Sequence, residues 1–409
     1  MPLRVLFLTH RLPYAPNRGD RLRAYQLLRT LAASGAEVDL ISLAHDAEEA
    51  SHAADLNGLA ASVHVARVPR LRNLTRGAFL LPSQRPLTHA LLDAPDITDV
   101  IARVRRDRQP DVVLAYCSGM ARFALEPALA DLPCVVDMVD ADSAKWAALA
   151  ETTPWPKRYV YTREARCLSR FEARAMQHAS ATLVVNARER EILRRLTPDA
   201  RILIVENGID VDAFTPTAAP TEDPTVIFCG VMNYAPNSAG AAWLAREAWP
   251  IVRATLPAAR LLLVGASPTQ DVRALADADR SIAVTGTVPD VRPFLAQSAV
   301  AAAPLHTARG IQNKVLEAVA AGLPCVVTST VADGLPKDVE PACLVADAAQ
   351  AFADALLALL HQSGRERRAL AASASLDRLR WTSRLQQVPD ILRDAAARDQ
   401  AALAVAANA

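Results

Sequence analysis

Short apolar runs alternate with stretches of helical character along the whole chain, and that rhythm limits the fold more than any other feature. In the first half the runs are "RVLFLT", "EVDLISL", "VHVARV", "DVVLAY", "CVVDMV", "ATLVVN" and "RILIVEN". In the second half they are "TVIFCG", "RLLLVG", "IAVTG", "VAAAPL", "CVVTS" and "ACLVA". Many are apolar at consecutive positions, so both faces of the strand need cover, as in a parallel sheet with helices on either side. Between the first two runs, Ala24, Leu27, Leu28 and Leu31 recur at helical spacing, and Gly35 closes the stretch. The spacing predicts a helix from Asp20 to Ser34. Repeated twice over, this pattern predicts an α/β protein with two doubly wound parallel sheets.

Between Thr215 and Pro224 the composition turns to Pro, Thr, Ala and acid, which reads as a connecting segment. The expected division is a first domain over 1–203, a second over 204–375, and a helical tail over 376–409 that packs back toward the first. A chain of 409 residues, 51% hydrophobic and 22% charged, has core material for two domains.

The net charge of +1 gives no global attraction to nucleic acid. Arginines are nevertheless concentrated locally, at Arg67, Arg70, Arg72 and Arg76 and again at Arg103, Arg105, Arg106 and Arg108. Interleaved with Leu71, Leu74, Phe79 and Leu80, the first group reads as a solvated surface or as a face for anionic lipid. The six cysteines form no C-x-x-C pair, and Cys134, Cys229, Cys325 and Cys343 sit in or beside strand-like runs. They suit buried thiols of a reducing compartment. The N-terminus enters a strand at once, and no apolar run approaches membrane-spanning length. The expected location is the cytoplasm, with contact at the inner face of the membrane.

One stretch concentrates chemistry: "ARGIQNKVLEAVAAGLPCVV", from Ala308 to Val327. It follows the strand-like "VAAAPL", and ligands of open α/β sheets bind beyond the carboxyl ends of strands. A helix beginning near Ile311 leaves backbone N–H groups free at its start and adds partial positive charge there. Arg309 and Lys314 supply full charge, and Gly310 permits close approach, which suits a phosphate. Glu317 lies one turn beyond Asn313 on the same side. A carboxylate there does not suit phosphate but can accept from two adjacent hydroxyls, as on a ribose. The alternative is an ordinary solvated helix start.

This stretch resembles the donor-site signature of the group 1 glycosyltransferases of family 4. "FLTHRLPYAPNRGDRLR", "VVDMVDADSAKW", "VENGIDVDAF", "FCGVMNYAPN" and "VTGTVPDVRPFLAQSAVAAAPL" match in order, so the resemblance covers most of the chain. "MVDADSAKW", "MNYAPN" and "ARGIQNKVLEA" together resemble the sugar transferases of exopolysaccharide and exosortase gene clusters. The resemblance implies a GT-B fold, two Rossmann-like domains facing a central cleft. It also implies a retaining reaction with no catalytic metal.

By the same resemblance, Arg309, Gly310, Ile311, Gln312, Asn313, Lys314 and Glu317 contact the donor, and the backbone near Val288, beyond Gly286, meets its base. The loop at Gly19 contacts donor phosphate or acceptor, with His10, Arg11 and Arg18 on the acceptor side. The family often carries two glutamates eight residues apart, and Arg309 stands at the first of these positions. The ribose role passes to Glu317, while Arg309 is expected to clamp the diphosphate or the sugar. The usual Arg and Lys pair is replaced by "GVMNYAPN", which leaves Gly230 and Asn233 as donor contacts.

Asp137, Asp140 and Asp142 lie at and beyond the end of a strand. D-x-D invites a metal, because paired carboxylates suit Mg²⁺ or Mn²⁺. The resemblance argues against it, and Asp140 or Asp142 is instead expected to orient the acceptor or assist as acid or base. The alternative is an Asp or Ser capping a helix that starts near Ser143. The expected function is transfer of a sugar from a nucleoside-diphosphate sugar to a saccharide or lipid-linked saccharide in surface-polysaccharide synthesis. No cofactor is expected, since the nucleotide sugar is a substrate. Rival readings are a nucleotide-sugar epimerase of the same shape and a binding protein without turnover. A nicotinamide dehydrogenase is disfavoured because no G-x-G-x-x-G follows a strand.

Overall fold

In the computed structural model, which describes residues 2–14, 19–307 and 311–407, every one of the thirteen apolar runs contains a strand. β1 Arg4–Thr9, β2 Glu37–Ala44, β3 Ser62–Arg67, β4 Val112–Tyr116, β5 Cys134–Val139, β6 Ala181–Val184 and β7 Ile202–Ile204 form one sheet. Its order is β3-β2-β1-β4-β5-β6-β7, and every pairing is parallel. β8 Thr225–Cys229, β9 Arg260–Val264, β10 Ile282–Val284, β11 Val300–Ala303, β12 Cys325–Val327 and β13 Cys343–Val345 form the second sheet. Its order is β10-β9-β8-β11-β12-β13, again all parallel. In each sheet the strand order reverses once, beside β1 and β4 in the first and beside β8 and β11 in the second. Such a reversal leaves a crevice at the carboxyl ends of the flanking strands.

The chain divides into two units, Met1–Gly208 with Trp381–Ala409, and Ile209–Arg380. The sequence reading had placed its breaks at 203/204 and 375/376. β7 runs on to Ile204 and pairs with β6, which keeps that residue in the first sheet. Leu376 and Leu379 are buried in the core of the second unit, and Ile209 N–H donates to the Leu379 carbonyl at 2.7 Å.

In the first unit the Gly19–Ala33 helix buries Ala24, Leu27, Leu28 and Leu31. Each leucine side chain withdrawn in this way contributes roughly 1.5–3 kcal/mol. The helix stops where Gly35 takes φ +78°, with Ala36 N–H donating back to the Leu31 carbonyl and Gly35 N–H to that of Ala32. Trp381, Leu385, Val388, Leu392, Ala395 and Ala396 of the tail pack into the same cluster at helical spacing, against Val5, Phe7 and Leu27. Beneath the sheet's carboxyl edge, Arg23 Nε donates to Asp137 at 2.8 Å, both residues being buried, and Arg23 also donates to the Asn207 amide at 2.9 Å. No described helix is long and apolar enough to cross a membrane.

Candidate active site

The second unit gathers its polar chemistry at the strand-order reversal between β8 and β11. β8 ends at Cys229, and Gly230 N–H continues the pairing by donating to the Val264 carbonyl at 2.9 Å. A Cβ on Gly265 would lie 1.7 Å from the Gly230 carbonyl oxygen, and one on Gly230 would lie 2.8 Å from the Asn237 amide. The backbones therefore meet with no room for a side chain at Gly265, and a side chain at Gly230 would have to displace the Asn237 amide. Asn237 belongs to the Ala235–Trp243 helix, which crosses the loop after β11 so closely that a Cβ on Gly240 would meet the Pro304 carbonyl at 2.8 Å.

The helix after β11 spans Asn313–Ala320, two residues later than the expected start, with Gln312 in extended conformation at its N-cap and no side-chain cap. Ile311 and Gln312 precede the helix, while Asn313 is exposed at its first position. Lys314 folds inward, donating from Nζ to Asn237 Oδ1 at 2.5 Å and lying 4.9 Å from the Phe228 ring centroid. Glu317, one turn on, is half-buried. Burial pushes its carboxyl up to about 7 against the opposing pull of Lys314. Burial also pushes the Lys314 ammonium down to about 8, although Cys229 and Glu317 oppose it. The two groups thus sit where each is held toward its neutral form, and an added anion would return Lys314 to its charged form.

Other expected donor contacts are placed less centrally. Asn233 is exposed in the loop after β8, and the amide that reaches Lys314 is that of Asn237, which the sequence reading missed. Val288 packs half-buried against the second core, just after Gly286 at φ +72°. Arg309, Gly310 and Arg18 lie outside the described residues, and Gly19 is the first residue of its helix.

In the first unit the reversal lies between β1 and β4, where the His10 ring stacks on Tyr116 with centroids 5.6 Å apart. Arg11 pairs with Glu49 at 3.7 Å, and Arg21 pairs with the same carboxylate at 3.2 Å. Glu49, only 1% exposed, also accepts from the Leu12 and His45 N–H groups. This buried acid, unnoticed in the sequence, ties the loop after β1 to the Ala47–Ser51 helix.

The three aspartates separate. Asp137 is buried against Arg23. Asp140 and Asp142 lie half-buried beyond β5 and share Lys145, whose Nζ is 2.6 Å from Asp140 Oδ1 and 3.4 Å from Asp142 Oδ1. Burial pulls the Lys145 ammonium down, but the two carboxylates outweigh it and hold it above its ordinary value. Ser118 Oγ donates to Asp142 Oδ2 at 2.5 Å. The capping alternative needs correction: the helix is Asp142–Thr152, Ala141 is its N-cap, and no side chain caps it from there. Glu172 takes that role from another helix, accepting from Ser143 N at 2.9 Å and Ser143 Oγ at 2.5 Å. Burial raises the Glu172 carboxyl. Two non-glycine residues flank this cluster at positive φ, Cys117 at +70° and Val139 at +66°. A β-branched residue in that region is strained, and such strain concentrates at working sites.

Residues 223–362 match the family described as Glycosyl transferases group 1, and residues 19–208 match the Glycosyl transferase 4-like domain. No curated protein matches the sequence. Among solved structures, sucrose-phosphate synthase from Thermosynechococcus elongatus is similar at 16% identity over 96% of this chain and 98% of that one, with a TM-score of 0.60. Anabaena HepE in complex with UDP is similar at 13% identity over 96% and 100%, with a TM-score of 0.59. A glycosyltransferase from Rickettsia africae is similar at 11% identity over 96% of this chain and 98% of that one, with a TM-score of 0.59. These likenesses fix the fold as GT-B.

Proposed function

Because this chain is a glycosyltransferase of group 1, with a 4-like domain ahead of the group 1 domain, we propose that it draws its sugar from a nucleoside-diphosphate donor. The acceptor is a saccharide or lipid-linked saccharide of a surface polysaccharide. The observation that carries this reading is the pairing of Lys314 and Glu317 on successive turns beside Gly230 and Asn237. A lysine held by an amide at a helix N-terminus suits the diphosphate, and a desolvated carboxylate one turn inside suits the ribose hydroxyls. Uridine is the first base to test, since the HepE structures contain UDP and UDP-glucose.

Charge grows on the leaving diphosphate as the sugar–phosphate bond breaks. Lys314, the helix N-terminus and, by resemblance, Arg309 stabilise that charge without a divalent ion. Retention of anomeric configuration is part of the proposal, with Asp140 or Asp142 orienting the acceptor. The protein needs no cofactor and works in the cytoplasm, touching the membrane through its arginine-rich helix.

Calorimetric titration with nucleoside, nucleoside monophosphate and nucleoside diphosphate tests the donor site. Glu317→Gln is expected to weaken the whole series by on the order of 1.5–3 kcal/mol. Lys314→Ala is expected to weaken the diphosphate far more than the nucleoside. Parent-like binding of the series by both variants would refute the site. Incubation with donor alone separates transfer from epimerisation, because only an epimerase yields an epimeric sugar without an acceptor.

A further inference from the structure

A cavity of about 650 Å³ opens in the first unit between the Arg70–Phe79, Leu87–Leu91, Ser118–Ala124 and Lys157–His178 helices. Arg76, Arg85, Arg122, Arg170 and Arg174 line it, against two carboxylates, Asp93 and Glu126. Asp93 is already engaged by Arg76 and by Arg122, the latter at 3.3 Å. Arg85, Arg170 and Arg174 make no ion pair with any described residue; Arg170 reaches only the Gln84 amide at 2.8 Å, and Arg174 lies over Phe171. On the floor, Arg122 is held by the His89 and Leu92 carbonyls, while its Nε and the Nε2 of His89 are buried without a hydrogen-bond partner. The buried Arg122 Nε–H without a partner, beside three guanidinium groups that make no ion pair with a described residue, suits an anion.

A second cavity of about 520 Å³ shares Gln84, Cys167 and Arg170 with the first, and Trp155 and Tyr159 wall it. These two rings are 82% and 68% exposed. The loop between the cavities is held in place from below. Arg163 donates to the Leu80, Leu81, Ser83 and Arg85 carbonyls, and Glu164 accepts from the Leu87 and Thr88 N–H groups at 2.8 Å. A buried Arg–Glu pair thus fixes an outward-facing wall, which is the preorganisation a ligand site needs.

We propose that this double cavity binds the phosphate end of an amphiphile, a phosphate ester of a long-chain alcohol. The phosphate sits against Arg170, Arg174 and Arg122, and the first carbons of the chain lie along Trp155 and Tyr159. Guanidinium forks suit phosphate oxygens, and exposed indole and phenol rings suit the boundary of an apolar chain. That the amphiphile is the lipid end of the sugar acceptor rests on the function proposed above; the site itself does not.

The test is calorimetry on the full chain with monomeric decyl phosphate, inorganic phosphate and decanol. Decyl phosphate is expected to bind at least about ten-fold tighter than either of the others. Arg170→Gln with Arg174→Gln should weaken it by about ten-fold or more, as should Trp155→Ala with Tyr159→Ala, while Lys314→Ala leaves it unchanged. Both arginines are exposed, and glutamine keeps much of their stems, so a parent-like thermal melt is expected. Unchanged affinity in the glutamine pair overturns the site, and loss in Lys314→Ala moves the phosphate to the donor cluster and overturns it equally. Equal affinity for inorganic and decyl phosphate overturns the amphiphile. Binding to phosphatidic-acid vesicles without binding to monomeric decyl phosphate assigns the contact to a bilayer surface and overturns the cavity. Nucleotide titrations with Lys314 and Glu317 variants report on the donor reading separately, so the two proposals fail independently.

Discussion

Lys314 donates to the side-chain oxygen of Asn237 at 2.5 Å, and the nitrogen of that same amide donates to the Val231 carbonyl at 3.0 Å. One amide therefore positions both the cation and the loop after β8. Asn237→Ala frees the lysine and leaves the Val231 carbonyl without that donor. Nucleoside diphosphate affinity is expected to fall about ten-fold, near the net worth of a charge-assisted hydrogen bond. The bare nucleoside should be affected less, which calorimetry with both ligands will show.

The raised carboxyl of Glu317 has a consequence for stability. Its folded value of about 7 exceeds the ordinary 4.5, so the folded chain holds this proton more tightly than the unfolded one. That contribution is fully present below the unfolded value and is lost as pH rises through the folded value. Glu317→Gln abolishes the dependence. At pH 8 the ligand-free variant should be more stable than the parent by about 1–2 kcal/mol, discounted for partial exposure, and the gap should close near pH 4–5. Denaturant melts across this range measure it. Equal stabilities at pH 8 would contradict the burial of this group.

Lys314 titrates in the opposite sense. With its ammonium pushed down to about 8 by burial, the free chain carries a progressively neutral lysine above that pH. Diphosphate binding must then restore the proton, so affinity is expected to decline as pH rises through 8 and beyond. In Lys314→Ala this decline should disappear.

Asp140 and Asp142 already share a cation, the Lys145 ammonium 2.6 and 3.4 Å away. A divalent ion between them would have to displace it. Treatment with chelator is accordingly expected to leave the transfer rate unchanged. Loss of activity on chelation with recovery on adding Mn²⁺ would overturn this reading of the pair.

The Arg23–Asp137 pair holds the first unit together beneath its site. Both side chains are at most 2% exposed. Arg23→Ala strands a buried carboxylate and is expected to destabilise the chain by about 3–5 kcal/mol, read as a lowered denaturation midpoint. A loss under about 1 kcal/mol would show that water reaches the pair.

The strands were legible because burial on both faces leaves a local mark, a run of consecutive apolar residues. Gly35 was legible for a similar reason, since only the local chain decides where a left-handed helix stop is needed. Lys314 and Glu317 could be read from spacing on one helix. Asn237 could not: it lies 77 positions before Lys314 and meets it only once β8 and β11 are neighbours. Glu49 and Glu172 were missed for the same cause, whereas Lys145 lies only three residues from Asp142 and its pairing is local. Each of the two glutamates looks like a solvated surface residue until the tertiary fold supplies arginines or free N–H groups to pair with it. The late start of the helix at Asn313 reflects the extended backbone of Gln312, which spacing does not report.

The contact of Gly265 with the Gly230 carbonyl bears on how the donor preference of this enzyme could be altered. With 1.7 Å available where a methyl group would stand, neither strand end can retreat without parting β8 from β9. Gly265 therefore admits no side chain, and a side chain at Gly230 would displace the Asn237 amide that holds Lys314. The exposed run of Val231, Asn233 and Tyr234 just beyond carries no such restriction. A library aimed at new donors should hold the glycine pair constant and diversify those neighbours, which are exposed beside the proposed donor site.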